Sequence, residues 1–387
     1  MLSALNRDNK ILILVITVSL GIKLALLGYG IANVPSFISM PDTPTYLEPG
    51  VNLVETGTFA TFEKYGWVKY EVRRTPGYPL FLGFLNQTLK IPFNGIVVVQ
   101  ILLTTFAGYI VYKAAYELDT KIALLSAFIF LFDLPVTISS LMLLSESLYA
   151  VFMAIFIYFF LKFLKGQKIH LLAVSAVILA AATYIRPISY YLGICIAIGV
   201  ILAFFRGAPK RALWYGFIFL FIFYALVGAW NCRNYFKVGR ADFTTIDNID
   251  LRDMGLLHRY TRQSEAVRSE TGPLLFYIKN TTKSFTNFMT RPGTLKYLRN
   301  IPLKVASKIF GYPWIIALII GLFFARYNNL PKVFLLLTII YFIVVSVVGV
   351  GLCNGSRFRV PIMPLISILA ASGWIAIYSK IKKWGQR

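Results

Sequence analysis

Two acidic residues and a pair of arginines stand close together in the sequence after the first apolar segment. Asp42 follows that segment closely, and Glu71 comes shortly before Arg73 and Arg74. A carboxylate can take the proton of a hydroxyl group, and arginines can hold a phosphate by paired, charge-assisted hydrogen bonds. These residue types therefore fit acid–base chemistry beside a phosphate. They also fit a solvated loop whose acids only keep it hydrated, and spacing alone does not separate the two interpretations.

The composition indicates a membrane protein. Of the 387 residues, 58% are hydrophobic and only 14% are charged, whereas soluble chains carry about a quarter charged residues. The net charge of +23 would suggest nucleic acid if the protein were soluble. Here many of the Lys and Arg residues stand between apolar segments, as in cytoplasmic loops. We therefore expect contact with membrane lipids and no binding of nucleic acid.

The apolar segments predict an all-α polytopic membrane protein with about ten transmembrane helices, since a crossing takes about 20 residues. The segments are 11–32, 94–116, 121–138, 147–165, 170–187, 188–205, 212–231, 306–325, 333–352 and 361–379. One long apolar run is divided at Arg186-Pro187. Proline cannot continue the helical hydrogen bonds, and arginine is costly at the middle of a membrane.

Segment 78–90 decides which loops share a side of the membrane. As a helix it would reach only about 20 Å, so we expect it to lie along the interface. The inner segments then carry fourteen Lys or Arg and the short outer segments three, which follows the positive-inside rule and makes both termini cytoplasmic. The sequence predicts one transmembrane domain, 1–379, with outer loops 33–93 and 232–305 and a basic cytoplasmic tail, 380–387.

Further charged residues fall at the outer face or inside a span in this topology. They are Lys23, Glu146, Arg186, Arg233, Arg357 and Arg359. Arginines at this face can stabilise a leaving phosphate, or they can simply extend to lipid headgroups. Glu146 can orient a substrate or cap its helix. Lys23, near the middle of the first span, must face a cavity or a partner.

An ordered set of motifs resembles the lipid-carrier-dependent GT-C glycosyltransferases, and more closely glycosyltransferase family 39. In the first outer loop these are Asp42-Thr-Pro-Thr-Tyr46, Gly57-Thr-Phe59 and Arg74-Thr-Pro-Gly-Tyr78-Pro79. Later come Leu144-Ser145-Glu146-Ser-Leu-Tyr149, Tyr184-Ile-Arg186-Pro187, Trp230-Asn-Cys-Arg233-Asn234-Tyr235 and Arg357-Phe-Arg359-Val-Pro361. The resemblance covers residues 11–380 and implies a GT-C-like fold. Family 39 and its relatives include protein O-mannosyltransferases and aminoarabinose transferases that act on lipid A.

The resemblance implies a transferase that moves a hexosyl- or pentosyl-type sugar from a polyprenyl-phosphate carrier to an acceptor hydroxyl outside the cytoplasm, with inversion. In that family the aspartate after the first span is essential, which assigns Asp42 the role of base or acceptor-orienting group. A second acid late in the loop suggests Glu71. Candidates for binding the donor and its phosphate are Tyr46, Arg73, Arg74 and Tyr78, together with Lys23, Glu146 and the outer-face arginines.

The family pattern also differs from this chain. The O-mannosyltransferases have paired acids where this chain has Asp42-Thr43, so the acceptor, whether glycan, lipid or protein, is not transferred with the resemblance. No cofactor is evident, and a divalent metal ion stays open. We expect the inner membrane of a bacterium, with an extracytoplasmic active site.

Two alternatives from other classes also stay open. A lipid-linked-sugar flippase or small-solute transporter would use Lys23, Glu146 and Arg186 as intramembrane charges along a pathway. An oligosaccharide polymerase or ligase would use a diphosphate-linked donor.

Overall fold

The computed structural model describes residues 7–62, 68–246, 273–290, 312–314, 316–321, 323, 329–349 and 355–384. Within them the chain is almost entirely helical. In chain order the helices are α1 (Arg7–Asn33), α2 (Pro44–Thr56), α3 (Gly77–Gly83), α4 (Phe93–Tyr116), α5 (Thr120–Phe132), α6 (Leu134–Ser140), α7 (Ser145–Gly166), α8 (Ile169–Ile185), α9 (Leu192–Phe205), α10 (Pro209–Val238), α11 (Pro273–Thr290), α12 (Asn329–Val344) and α13 (Met363–Trp384). The strands β1 (Ala60–Phe62) and β2 (Val68–Tyr70) form an antiparallel hairpin.

The long apolar helices make this an integral membrane protein. Among the described residues, seven helices are long and apolar enough to cross a bilayer, or up to eight if the bent pair α5 and α6 counts as one span. Two shorter apolar helices, Ile169–Ile185 and Tyr312–Gly321, fall below that length. The predicted number of ten is therefore not confirmed, although the polytopic all-α architecture is.

The predicted span 121–138 is broken in the structure. Helices α5 and α6 meet at Asp133 and differ in direction by 55°. The Asp133 carboxylate accepts a hydrogen bond from the backbone N–H of Val136 at 3.1 Å, and Pro135 occupies the first turn of α6. A capping carboxylate followed by proline starts a new helix, which explains why the apolar run does not continue straight.

The interior of the bundle lies along α7 and α13. The most apolar stretch of α7 is 72% buried and that of the span containing α13 is 78% buried, against 22% for α1. Helix α7 packs against α4 and α8, and α13 packs against α5. Helix α1 therefore leaves most of its surface outside the bundle, whereas the polar residues that open α7 are buried in it.

The segment predicted as the first outer loop contains more secondary structure than the sequence indicated. Helix α3 continues into a π-helical turn, Phe84–Thr88, so together they occupy nearly the predicted segment 78–90. Helix α2 was missed because Pro49 and Gly50 interrupt its apolar pattern. Gly50 is needed there: a Cβ atom at this position would lie 2.2 Å from the carbonyl oxygen of Pro79. The close packing of α2 on α3 gives the loop a fixed shape.

The segment predicted as the second outer loop also contains helical residues that the sequence did not predict. Helix α10 continues to Val238 and ends at Gly239, which has a positive φ of 73°, and α11 lies within the predicted loop 232–305. The predicted tail, 380–387, begins inside α13, which runs to Trp384.

A candidate anion-binding site beside two carboxylates

Asp42 and Glu146 lie in the same site because hydrogen bonds connect two distant segments of the chain. The backbone N–H of Leu143 donates to the carbonyl of Ile38 at 2.8 Å. The hydroxyl of Thr43 donates to the carbonyl of Leu143 at 3.1 Å. These bonds join the turn between α1 and α2 to the segment that opens α7. The aspartate after the first span and the glutamate of the fourth motif therefore belong to one site.

Three arginines surround the two carboxylates. Asp42 contacts Arg74 through Oδ1 at 3.1 Å and Arg357 through Oδ2 at 2.7 Å. Glu146 forms ion pairs with Arg186 at 2.8 Å and with Arg357 at 3.0 Å. Arg357 thus joins both acids. We call these five residues the carboxylate–arginine cluster.

Glu71 organises the backbone that carries Arg74. Its carboxylate accepts hydrogen bonds from the backbone N–H groups of Arg73 at 2.5 Å and Arg74 at 2.9 Å. The side chain of Arg74 then donates to Thr45 Oγ1 at 3.0 Å and to the Tyr46 hydroxyl at 3.1 Å. Charge-assisted bonds of this kind fix a guanidinium group in one orientation.

Tyr78 supports the site from inside the protein. Its side chain is fully buried, its hydroxyl donates to Gln100 at 2.6 Å, and Gln100 donates to the carbonyl of Met142 at 2.8 Å. The Tyr78 ring packs edge-on against Tyr46, with 5.1 Å between centroids. Tyr78 therefore holds Tyr46 in place. Of these two tyrosines, only Tyr46 lines a cavity that adjoins the carboxylate–arginine cluster.

Arg186 stands at the break between α8 and the following 3-10 turn, Pro187–Ser189. It donates to Ser145 Oγ at 3.1 Å and lies 5.9 Å from the centre of the Phe358 ring. Helix α3 approaches this break closely, since a Cβ atom on Gly77 would lie 2.7 Å from the backbone of Tyr184. The Arg-Pro break thus places a cation where the loop helices meet the bundle.

Asp42 is held in its ionised form. Burial alone would raise the pKa of its carboxyl group, but the positive charges of Arg357, Arg74 and Arg186 outweigh that effect and hold the pKa below its ordinary value of 3.8. The side chain keeps 31% of its surface exposed. A ligand can therefore reach a charged carboxylate here, whereas Glu146, with 1% exposed, is enclosed.

A cavity of about 420 Å³ adjoins the cluster. Its polar side is lined by Tyr46, Arg73, Arg74, Ser145 and Arg186. The rest of its lining is largely apolar and comes from the break after α8, the end of α12 and the turn that follows it, with Ile185, Ile188, Tyr341, Val344, Val345 and Val348. A lining that combines arginines with apolar helix surface suits an amphiphile with an anionic head.

Two predicted phosphate ligands contact other parts of the protein. Arg233 donates to the carbonyls of Phe59 at 2.7 Å and Glu71 at 3.0 Å, so it ties the β-hairpin to the end of α10. Arg359 is buried, pairs with Asp133 at 2.6 Å and donates to the carbonyl of Met289 at 2.9 Å. Neither guanidinium is among the residues that line the cavity.

Lys23 is also separate from the carboxylate–arginine cluster. It is 1% exposed and lies on the buried face of α1 with Ser19 and Leu27. Its Nζ has no hydrogen-bond partner among the described residues. The structure thus brings Asp42, Arg74, Glu146, Arg186 and Arg357 together and leaves Lys23, Arg233 and Arg359 elsewhere, while Glu71 and Tyr78 stand behind the site.

Some residues of the site were not predicted as site residues. Ser145 lines the cavity beside Arg186, and its position directly before Glu146 was the available signal. Phe358, between Arg357 and Arg359, packs against two guanidinium groups. Ser346 lies in the π-helical turn Val345–Gly349 and lines the cavity with a hydroxyl that has no partner among the described residues. The sequence contains no signal for Ser346.

The donor set does not fit a divalent metal ion. Among the described residues, no three His, Cys, Asp or Glu side chains are grouped in a way that could hold a metal ion. The two acids of the cluster are instead contacted by guanidinium groups, with Arg357 between them. A metal ion would have to displace arginines from the only two carboxylates of the cluster, in a field that is already positive.

The fold and the site together describe a polytopic membrane protein with an arginine-lined, amphiphilic cavity where the segment between α1 and α4 meets the helical bundle. No protein-family model and no curated protein matches the chain. Solved structures of the same fold exist, and they belong to a glycosyltransferase of the GT-C class.

These structures are of the oligosaccharyltransferase AglB of Archaeoglobus fulgidus. The apo form has a TM-score of 0.61 and 10% identity, with 98% of this chain and 51% of that chain covered. The form tethered to an acceptor peptide has a TM-score of 0.61 at 12% identity, covering 96% and 50%. The complex with an inhibitory peptide and a dolichol-phosphate has 0.55 at 11%, covering 97% and 51%.

The comparison establishes a GT-C-like fold and does not single out family 39 within it. The chain spans about half the length of these oligosaccharyltransferases. At such low identity the likeness concerns the fold alone.

Proposed function

We propose that the protein is a glycosyltransferase that takes its sugar from a polyprenyl-phosphate carrier. The observation that carries the proposal is the cavity that Arg74 and Arg186 line together with apolar residues of α12 and the turn after it. Arg74 is paired at 3.1 Å with the carboxylate of Asp42, whose pKa is lowered. A phosphate between the two arginines leaves the apolar side for the isoprenoid tail. The arginines also stabilise the charge that develops on the phosphate when it leaves.

Asp42 is the proposed base. The acceptor hydroxyl attacks the anomeric carbon as the bond from that carbon to the phosphate oxygen breaks, and polyprenyl phosphate departs. A single displacement of this kind inverts the anomeric centre. The attacking hydroxyl becomes strongly acidic as its new bond forms, so even a carboxylate of low pKa can accept the proton.

The remaining predicted residues take supporting roles in this proposal. Glu71 positions Arg74 through the backbone rather than reacting, and Tyr78 positions Tyr46. Tyr46 and Ser145 line the cavity beside the arginines and supply hydroxyl groups for the phosphate or the sugar. Ser346, which also lines the cavity, supplies a further hydroxyl.

Two of the solved structures with this fold agree with this class of ligand. An AglB structure contains a dolichol-phosphate and another contains an acceptor peptide. We extend to this chain only the lipid phosphate as donor group, with a glycan, lipid or protein hydroxyl as acceptor. The family 39 resemblance, an extracytoplasmic site in a bacterial inner membrane and cytoplasmic termini remain parts of the proposal.

The test compares cells that carry the protein with cells that carry Asp42→Asn at equal membrane abundance. Mass spectrometry of the lipids should show a polyprenyl-phosphate sugar accumulating in the variant and a glycosylated product only with the unmodified protein. Identical lipid and glycan profiles would refute the proposal. Asp119→Asn is the matched control, because asparagine can also cap α5 as Asp119 does.

Reconstitution in proteoliposomes distinguishes the proposed transferase from a transporter. A transferase forms product only when an acceptor is present and moves no lipid-linked sugar without it. Flux of the carrier in the absence of acceptor, with no glycosylated product, would favour a flippase.

A further inference from the structure

Arg357 lies between the carboxylates of Asp42 and Glu146. Its Nη2 lies 2.7 Å from Asp42 Oδ2, and its Nε lies 3.0 Å from Glu146 Oε1. Metal ions commonly bridge two acids in this way and supply positive charge to a departing phosphate. Here the bridging group is a side chain of the protein.

The fold fixes this guanidinium in place. Arg357 belongs to the 3-10 turn Ser356–Ile362, which leads into the most buried span of the described chain. Its guanidinium packs 5.4 Å from the centre of the Phe358 ring, and only 20% of its side chain is exposed. This positive charge is part of the chain and is fixed by its turn, by the Phe358 ring and by two carboxylates. Unlike a metal ion, it does not have to be bound from solvent.

The charges of the site reinforce this point. Asp42 and Glu146 supply two negative charges, whereas Arg74, Arg186 and Arg357 supply three positive ones. The cluster is therefore already positive before Arg73, which lines the cavity, is counted. A dianionic phosphate leaving group finds compensation without a metal ion, and an added divalent cation would be repelled.

We propose that Arg357 is an internal substitute for a divalent metal ion: it bridges Asp42 and Glu146 and makes the site metal-independent. It acts through the two carboxylates and through Arg74 and Arg186, which those carboxylates orient, so it is a positioning residue. The inference rests on the proposed function for its catalytic meaning. Its structural part, the occupation of a cation site, can be tested without any transfer assay.

The key variant is Arg357→Ala, which leaves two facing carboxylates with space between them. The thermal unfolding of purified protein in detergent is measured with Mn²⁺ and with EDTA. We expect Mn²⁺ to raise the melting temperature of Arg357→Ala by about 3 °C or more. The unmodified protein and the double variant Arg357→Ala/Glu146→Gln should not respond. If Arg357→Ala gives no folded protein, Arg357→Gln is measured in its place.

Transfer activity supplies the second readout. EDTA should leave the rate of the unmodified protein unchanged, and Arg357→Ala should lose roughly 100-fold. Mn²⁺ or free guanidinium ions should restore part of that loss. Arg357→Lys should retain more activity than Arg357→Ala yet gain nothing from Mn²⁺, because a lysine keeps the charge.

Specific outcomes would overturn the inference. Stabilisation of the unmodified protein by Mn²⁺, inactivation by EDTA, or a folded Arg357→Ala or Arg357→Gln variant without any Mn²⁺ response each contradicts it. A metal response confined to the Arg357 variant, in a protein that transfers no sugar, would support the cation site and refute the proposed function. Sugar transfer by a protein whose Arg357 variant does not respond to Mn²⁺ would support the proposed function and refute the cation site.

Discussion

Arg357 and Arg359 are two residues apart on the same turn, and their surroundings are opposite. Arg359 pairs with one carboxylate, Asp133, at 2.6 Å, and both side chains are at most 2% exposed. Arg357 shares two carboxylates with two other arginines beside a cavity, and its partner Asp42 is 31% exposed. The first arrangement is neutral and closed, which suits a structural role. The second carries an excess of positive charge within reach of a ligand, which suits the binding of an anion.

The largest effect on stability should come from breaking the buried ion pair between Arg359 and Asp133. Arg359→Met leaves the Asp133 carboxylate buried without its partner, and we expect a loss of about 3–5 kcal/mol in unfolding free energy. Thermal unfolding in detergent measures this loss. The double variant Arg359→Met/Asp133→Leu should recover most of it, because no buried charge remains. Arg357→Met should cost less, about 1–2 kcal/mol, and a larger loss there than at Arg359 would reverse the comparison.

The next largest effect concerns activity at the open cluster. Asp42→Asn removes the proposed base but keeps the side-chain shape, so the transfer rate should fall by about 100- to 10,000-fold. Purified protein in proteoliposomes with membrane lipids as the donor source provides the assay. The melting temperature should change far less than in Arg359→Met. A variant with full activity would show that Asp42 is not the base.

A smaller effect should distinguish the arginine that lines the cavity from one that does not. Arg74→Lys cannot keep its hydrogen bonds to Asp42, Thr45 and Tyr46 together, so we expect KM for the lipid-linked donor to rise about tenfold. Arg233→Lys is the matched control, since Arg233 contacts backbone carbonyls of the hairpin. It should lower the melting temperature and leave KM unchanged. Equal changes of KM in both variants would argue against the cavity as the donor site.

The smallest effect is expected from pH. Because the folded-state pKa of Asp42 lies below its ordinary value of 3.8, its contribution to stability is present above that ordinary value and is lost as pH falls through the lower folded value. Activity and melting temperature should therefore show no loss from Asp42 between about pH 8 and pH 5. A fall in activity centred near pH 6 that shifts in Asp42→Glu would contradict this expectation.

The sequence predicted much of the helical framework because apolar runs and the Arg186-Pro187 break follow simple rules. It did not predict the break at Asp133, since a single carboxylate in an apolar run resembles any other interruption until its cap is seen. Helix α2 was missed for a related reason, because its proline and glycine are typical of a loop. The close packing that makes this glycine necessary is visible only in three dimensions.

The candidate site shows the same limit. Motif order and topology placed Asp42, Glu146 and the outer-face arginines at one face of the membrane. They could not separate Arg357 from Arg359, because the direction of each side chain depends on which partner the turn Ser356–Ile362 presents it to. The family resemblance likewise suggested Glu71 as a second reacting acid. The sequence did not show that its carboxylate accepts hydrogen bonds from the backbone N–H groups of Arg73 and Arg74.

The central claim, that the cavity binds a lipid phosphate through its arginines, is tested most directly with the spent carrier, since no knowledge of the sugar is required. Binding of polyprenyl phosphate and of polyprenol of equal chain length is measured on the protein in nanodiscs, with Arg186→Ala beside the unmodified protein. We predict that the phosphate binds at least about tenfold more tightly than the alcohol and that Arg186→Ala removes most of this preference. Equal binding of the two lipids to the unmodified protein would contradict the account.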